Sequence, residues 1–129
     1  QVEELKQLDA EFSSIAVVGT NPNVETHPMD SFDKMSDFME EKELDIYYLA
    51  DPEQKVAEAY GAKCTPDPFL LDWRHRLYYH GRLNDGGPSS EVENREMKEV
   101  IGDMLKRRDP PQEQKPSQGC SIKWKEGNR

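Results

Sequence analysis

Residues 51–72 read DPEQKVAEAYGAKCTPDPFLLD. Asp51 followed by Pro52 is a helix opening. The aspartate can accept hydrogen bonds from free backbone N–H groups, and proline is already set at the φ of a first turn. Val56, Ala59 and Tyr60 recur at helical spacing and are expected to form the buried side. Gly61 is expected to end the helix, because glycine enters the left-handed region at little cost. Thr65-Pro66 then interrupts regular structure. Pro68-Phe69-Leu70-Leu71 is a short apolar run of the kind that forms a buried strand.

Working outward, Trp73 to His75 predicts a tight turn and Arg76–His80 a second strand. That strand must run antiparallel to the first, since the link is too short for a crossover. Asn84–Pro88 has loop chemistry. Ser90 and Glu93 are spaced as a capping box. The helix behind it is expected to bury Val92, Met97, Val100, Ile101, Met104 and Leu105, with Lys106-Arg107-Arg108 at its negative end. Upstream, Val2, Leu5, Leu8 and Phe12 mark one helix face. Ile15–Val18 reads as a strand stopped by Gly19. A helix capped by Asp30 or Ser31 presents Phe32, Met35, Phe38 and Met39, and Ile46–Leu49 is a further strand. This alternation predicts an α/β domain over residues 1–108. Residues 109–129 are Pro-, Gln- and Lys-rich and predict an extended arm. Its end alternates Cys120, Ile122 and Trp124 with polar residues, the period of a docked or edge strand.

Composition limits the chemistry. The net charge of −9 opposes nucleic-acid phosphates and anionic lipid heads, so neither nucleic acid nor membrane is an expected partner. No apolar run approaches the ~20 residues of a membrane span. Cys64 and Cys120 are the two cysteines, too few for a disulfide framework, and His27, His75 and His80 lack the short spacing of a zinc site. No metal and no cofactor is expected. Val18-Gly19-Thr20-Asn21 has one glycine where a dinucleotide loop needs three.

In combination, the pattern VA..YGA.CTPD.FL.D within residues 56–72 resembles the thioredoxin-like AhpC/TSA family. Gly81-Arg82-Leu83-Asn84-Asp85 is similar to that family's GxLDD loop, and Lys115–Trp124 to its KPSxGCSIKW ending. The resemblance implies a thioredoxin-like fold, a central mixed sheet with helices on both faces. It also implies redox chemistry: thiol–disulfide exchange or peroxide reduction, with a thiol or disulfide protein or a peroxide as partner. In the family a Cys-x-x-Cys-Pro stretch opens the first helix, where the helix dipole favours thiolate. Gln1 reads as lying already inside that helix, so the expectation is an N-terminally truncated chain lacking that motif and the first strand. The strands flanking the missing one are then expected to leave a gap or take a partner strand. The compartment implied is cytoplasmic, with an export signal ahead of Gln1 left open.

The remaining site candidates follow. Thr65-Pro66 matches the family's cis-proline loop, which faces the reactive thiols and offers backbone groups to an extended substrate. Cys64, two residues earlier, is either a redox cysteine or a small residue in a crowded loop. Cys120 is either redox-active or an anchor for the arm. Whether the two come within disulfide reach is not readable from sequence. The alternative function is a redox-inactive module that grips a partner with Thr65 and Pro66. A homodimer through the sheet or the C-terminal arm is also open.

Overall fold

The computed structural model describes residues 2–87 and 91–127. The elements in chain order are α1 (Val2–Glu11), β1 (Val18–Asn21), a 3-10 turn (Pro28–Asp30), α2 (Phe32–Glu41), β2 (Tyr47–Ala50), α3 (Lys55–Tyr60), β3 (Cys64–Thr65), β4 (Phe69–Leu71), β5 (Leu77–His80), α4 (Glu96–Leu105) and β6 (Cys120–Ser121). The strands form three two-stranded sheets, β1 with β2, β3 with β6, and β4 with β5. Most of the chain falls into two units, Glu4–Lys63 with Ser121–Arg129, and Cys64–Cys120.

In the first unit β1 and β2 pair in parallel, from Val18 opposite Tyr47 to Asn21 opposite Ala50. The strand begins where the sequence reading ends it, and Gly19 continues it. Ser13 and Ser14 are in a turn, across which the Ile15 N–H donates to the Phe12 carbonyl, and residues 15–17 are irregular. Asn21 fixes the far end. Its side-chain amide donates to the Asp30 carbonyl at 2.7 Å and its Oδ1 accepts from the Asn23 N–H at 2.9 Å.

Helix α3 starts at Lys55 rather than beside Pro52, because Gln54 takes a left-handed conformation (φ 63°) as its N-cap. Asp51 still reaches the helix: its carboxylate accepts from the Val56 and Ala57 N–H groups. The late start changes which side is buried. Ala57 is inside, whereas Val56 and Tyr60 are exposed. Gly61 closes the helix in the left-handed region at φ 70°.

Gln54 itself is 0% exposed. Its Nε2 donates to the Pro22 and Lys123 carbonyls, and its Oε1 accepts from the Lys125 N–H at 2.7 Å. The Lys123 N–H donates to Asn23 Oδ1. Ile122 is buried beside them. The end of the arm is thus fixed by amide side chains that mimic a strand partner.

In the second unit β4 and β5 form an antiparallel hairpin, Phe69 opposite His80 and Leu70 opposite Tyr79, with a register irregularity before Leu71 pairs with Leu77. Asp72 shapes the turn by accepting from the Arg74 and Arg76 N–H groups. Strand alternation would bury one of two neighbouring residues, yet Tyr78 and Tyr79 are both buried. The hairpin is covered twice. Tyr78 donates to the Arg108 and Asp109 carbonyls just beyond α4. Tyr79 donates to the Arg82 carbonyl at 2.8 Å and lies 3.5 Å from that of Lys115.

Helix α4 buries Met97, Val100, Ile101 and Met104. It begins at Glu96, later than the capping-box reading, and Val92 is exposed. Ser90, half of that box, lies outside the described residues. Asp85 does the ordering instead, accepting from the Glu93 and Asn94 N–H groups at 2.8 and 2.9 Å. No helix among the described residues is long and apolar enough to cross a membrane.

Candidate functional site: a thiol beside a serine, a buried aspartate and a histidine

The second unit brings a thiol, a hydroxyl, a carboxylate and an imidazole together in one group. Cys64 is half-buried and the Thr65–Pro66 peptide bond beside it is cis. The Cys64 sulfur lies 3.5 Å from the Pro66 carbonyl, to which its S–H can donate, and 3.6 Å from Ser117 Oγ. Ser117 donates in turn to Asp67 Oδ1 at 2.7 Å. His80 Nε2 meets the same oxygen at 2.7 Å.

Each member is placed by its element. Asp67 sits between the proline loop and β4, with its side chain only 4% exposed. A buried carboxylate needs donors to offset lost hydration, and Ser117 and His80 supply two. His80 closes β5 opposite Phe69, and the two rings stack at 4.0 Å with 12° between planes. The His80 N–H donates to Gln114 Oε1 at 2.6 Å. Ser117 is carried by the arm, which passes the hairpin where the Arg82 N–H donates to the Lys115 carbonyl.

Gly119 brings the arm against the loop. A Cβ there would collide with the carbonyl of Thr65 and sit 3.0 Å from Pro66 N. The Thr65 hydroxyl reaches the Cys120 carbonyl at 3.5 Å. The approach is close enough that residue 119 has no room for a side chain.

Of the residues singled out from sequence, Cys64, Thr65 and Pro66 lie together, with Pro66 exposed and Thr65 half-buried. Cys120 meets them through its backbone, and its side chain belongs to an exposed residue. Both cysteines are free thiols. The sequence reading missed Asp67, His80 and Ser117 as site residues. Asp67 and Ser117 stood inside the quoted CTPD and KPSxGC motifs, and their types and positions were the available signal. His80 had none, since a histidine at a strand end is ordinary. No group of three His, Cys, Asp or Glu side chains among the described residues is set to hold a metal ion.

The AhpC/TSA family profile matches residues 1–80. The chain belongs to the AhpC/TSA family. Solved structures share the fold. A hypothetical protein from Sinorhizobium meliloti is 34% identical with a TM-score of 0.88, over 98% of this chain and 72% of its own. An uncharacterized conserved protein from Geobacillus kaustophilus is 35% identical with a TM-score of 0.89, over 98% of this chain and 69% of its own. No curated protein matches. The mixed α/β architecture is therefore that of an AhpC/TSA protein, a thioredoxin-like family, and the family's chemistry is redox chemistry of the thioredoxin or peroxiredoxin kind.

Proposed function

We propose that this chain takes part in thiol–disulfide exchange, with Cys64 as the reacting sulfur and the Thr65–Pro66 loop as the surface that meets a protein disulfide. The observation that carries this reading is the placement of the Cys64 sulfur at the exposed proline loop and beside Ser117, which itself donates to the buried Asp67. A thiolate at Cys64 attacks one sulfur of the partner's disulfide. This forms a mixed disulfide and expels the other sulfur as a thiolate. A second thiol, from a small thiol co-reactant, then attacks the mixed disulfide and returns Cys64 to its reduced form. The partner is thus a disulfide-bearing protein whose extended segment lies along Thr65 and Pro66.

The test is turnover of a small disulfide such as bis(2-hydroxyethyl) disulfide with glutathione as the thiol. Cys64→Ser is expected to lower the protein-dependent rate at least tenfold. Cys120→Ser, which alters an exposed thiol, is expected to retain most of it. Unchanged turnover in Cys64→Ser would move the reacting sulfur away from Cys64, and no protein-dependent turnover in the parent chain would remove the redox reading. The alternative then stands, a redox-inactive module that holds a partner with the same loop. The exposure of Pro66 beside a half-buried Thr65 is what favours it as second choice.

A further inference from the structure

We propose that Ser117, Asp67 and His80 form a relay that takes the proton from the Cys64 thiol. This rests on Cys64 being the reacting sulfur. Three contacts in series make the path: sulfur to Ser117 Oγ at 3.6 Å, Ser117 to Asp67 Oδ1 at 2.7 Å, and His80 Nε2 to that same oxygen at 2.7 Å.

The direction follows from which groups can donate. A carboxylate only accepts, so the single proton of Ser117 is committed to Asp67. The serine oxygen therefore offers a lone pair to the sulfur, and the one S–H proton, when turned from the Pro66 carbonyl to the serine, is the donor. On ionisation the S–H proton passes to Ser117 Oγ as the serine's own proton passes to Asp67 Oδ1. The products are a thiolate, a serine hydroxyl now donating to it, and a neutral carboxyl group. No proton is gained or lost overall. His80 Nε2–H donates to Asp67 throughout and keeps the carboxyl group aimed at the serine.

Ser117 is the member that touches the reacting atom. Asp67 and His80 act through it and are positioning residues. The groups that face His80 are Asp67 from the proline loop, the uncharged Phe69 ring from β4 and the uncharged Gln114 amide from the arm. The Asp67 carboxylate is thus the one charge among these contacts.

The experiment is the rate of Cys64 alkylation by iodoacetamide from pH 6 to 10, on a Cys120→Ser background so that one thiol reacts. The thiolate displaces iodide from the reagent, so the rate follows the thiolate fraction. Ser117→Ala is expected to slow alkylation about three- to tenfold at pH 7, where the parent holds thiolate through the transfer to Asp67, and to leave the two rates alike at pH 10, where the thiol ionises to solvent. Ser117→Thr keeps the hydroxyl and is expected to restore the profile. His80→Gln, at a partly exposed position, is expected to change it in the same sense as Ser117→Ala. Ser117→Ala and Ser117→Thr profiles that both coincide with the parent overturn the relay. So do equal shifts in the two variants, which mark a packing effect, and a Cys64 that resists alkylation in the folded protein. Alkylation needs no redox partner, so the relay can stand where disulfide turnover fails, and the two readings fail separately.

Discussion

At the scale of the residue, Tyr79 is the most exacting position. It is 1% exposed, and burial pushes its hydroxyl up to about 12, with Glu96 adding repulsion and Arg82 opposing it. Between pH 10 and pH 12 an unfolded tyrosine gives up its proton while the folded one keeps it. Stability therefore falls as pH rises through that window, by roughly 2–3 kcal/mol for this group. Urea unfolding at pH 8 and pH 11 checks this: Tyr79→Phe is expected to lose less between the two than the parent chain does. At pH 8 the same variant is expected to be less stable by about 1–2 kcal/mol, since the Arg82 carbonyl loses its donor. Gly119 is a second such position. Gly119→Ala forces a methyl group onto the Thr65 carbonyl and is expected to cost about 1–3 kcal/mol, read as a lowered thermal midpoint. Tyr79 and Gly119 were visible in the sequence as letters only. What makes them exacting is a backbone carbonyl brought against each, that of Arg82 for Tyr79 and that of Thr65 for Gly119, and no pattern of residue types encodes that.

At the scale of the element, the helices and strands were largely legible and their ends were not. The periodicity of Met97, Val100, Ile101 and Met104 placed α4, because a 3.6-residue repeat survives any choice of cap. Its start was misplaced because Asp85, eight residues ahead of Glu93, holds the approach. The late start of α3 has the same kind of cause, since Gln54 gives up a helical conformation to bury its amide. Gln54→Ala would leave the Pro22 and Lys123 carbonyls and the Lys125 N–H without their side-chain partner. The expected loss is about 2–4 kcal/mol, together with faster tryptic cleavage after Lys123 and Lys125 than in the parent. The turns predict acid behaviour. The Arg76 and Arg74 N–H groups hold the Asp72 carboxyl below the usual range, and those of Asn94 and Glu93 do the same for Asp85. Unfolded aspartates bind protons first as pH falls, so this stability is whole above about pH 4 and is lost below it, through the lowered folded values. Asp85→Ala is expected to flatten the acid limb of a stability-versus-pH curve between pH 5 and pH 2.

At the scale of the molecule, the family was legible because its motifs sit where the backbone is most constrained: the glycine that ends α3, the proline loop, and the glycine that lets the arm approach. The site was legible in part. Cys64 stood out by type, but its surroundings come from residues 67, 80 and 117, joined by an arm whose composition promised only an extended chain. That arm is better understood as a measured length. Tyr78 holds it at Asp109, Lys115 meets the Arg82 N–H, and Gly119 rests on Thr65, with Ser117 midway between the last two grips. A chain held at fixed stations works as a gauge: adding or removing one residue between Lys115 and Gly119 would slide the hydroxyl off the sulfur without altering the fold. Variation in length should therefore be tolerated in the polar stretch before Lys115 and refused after it.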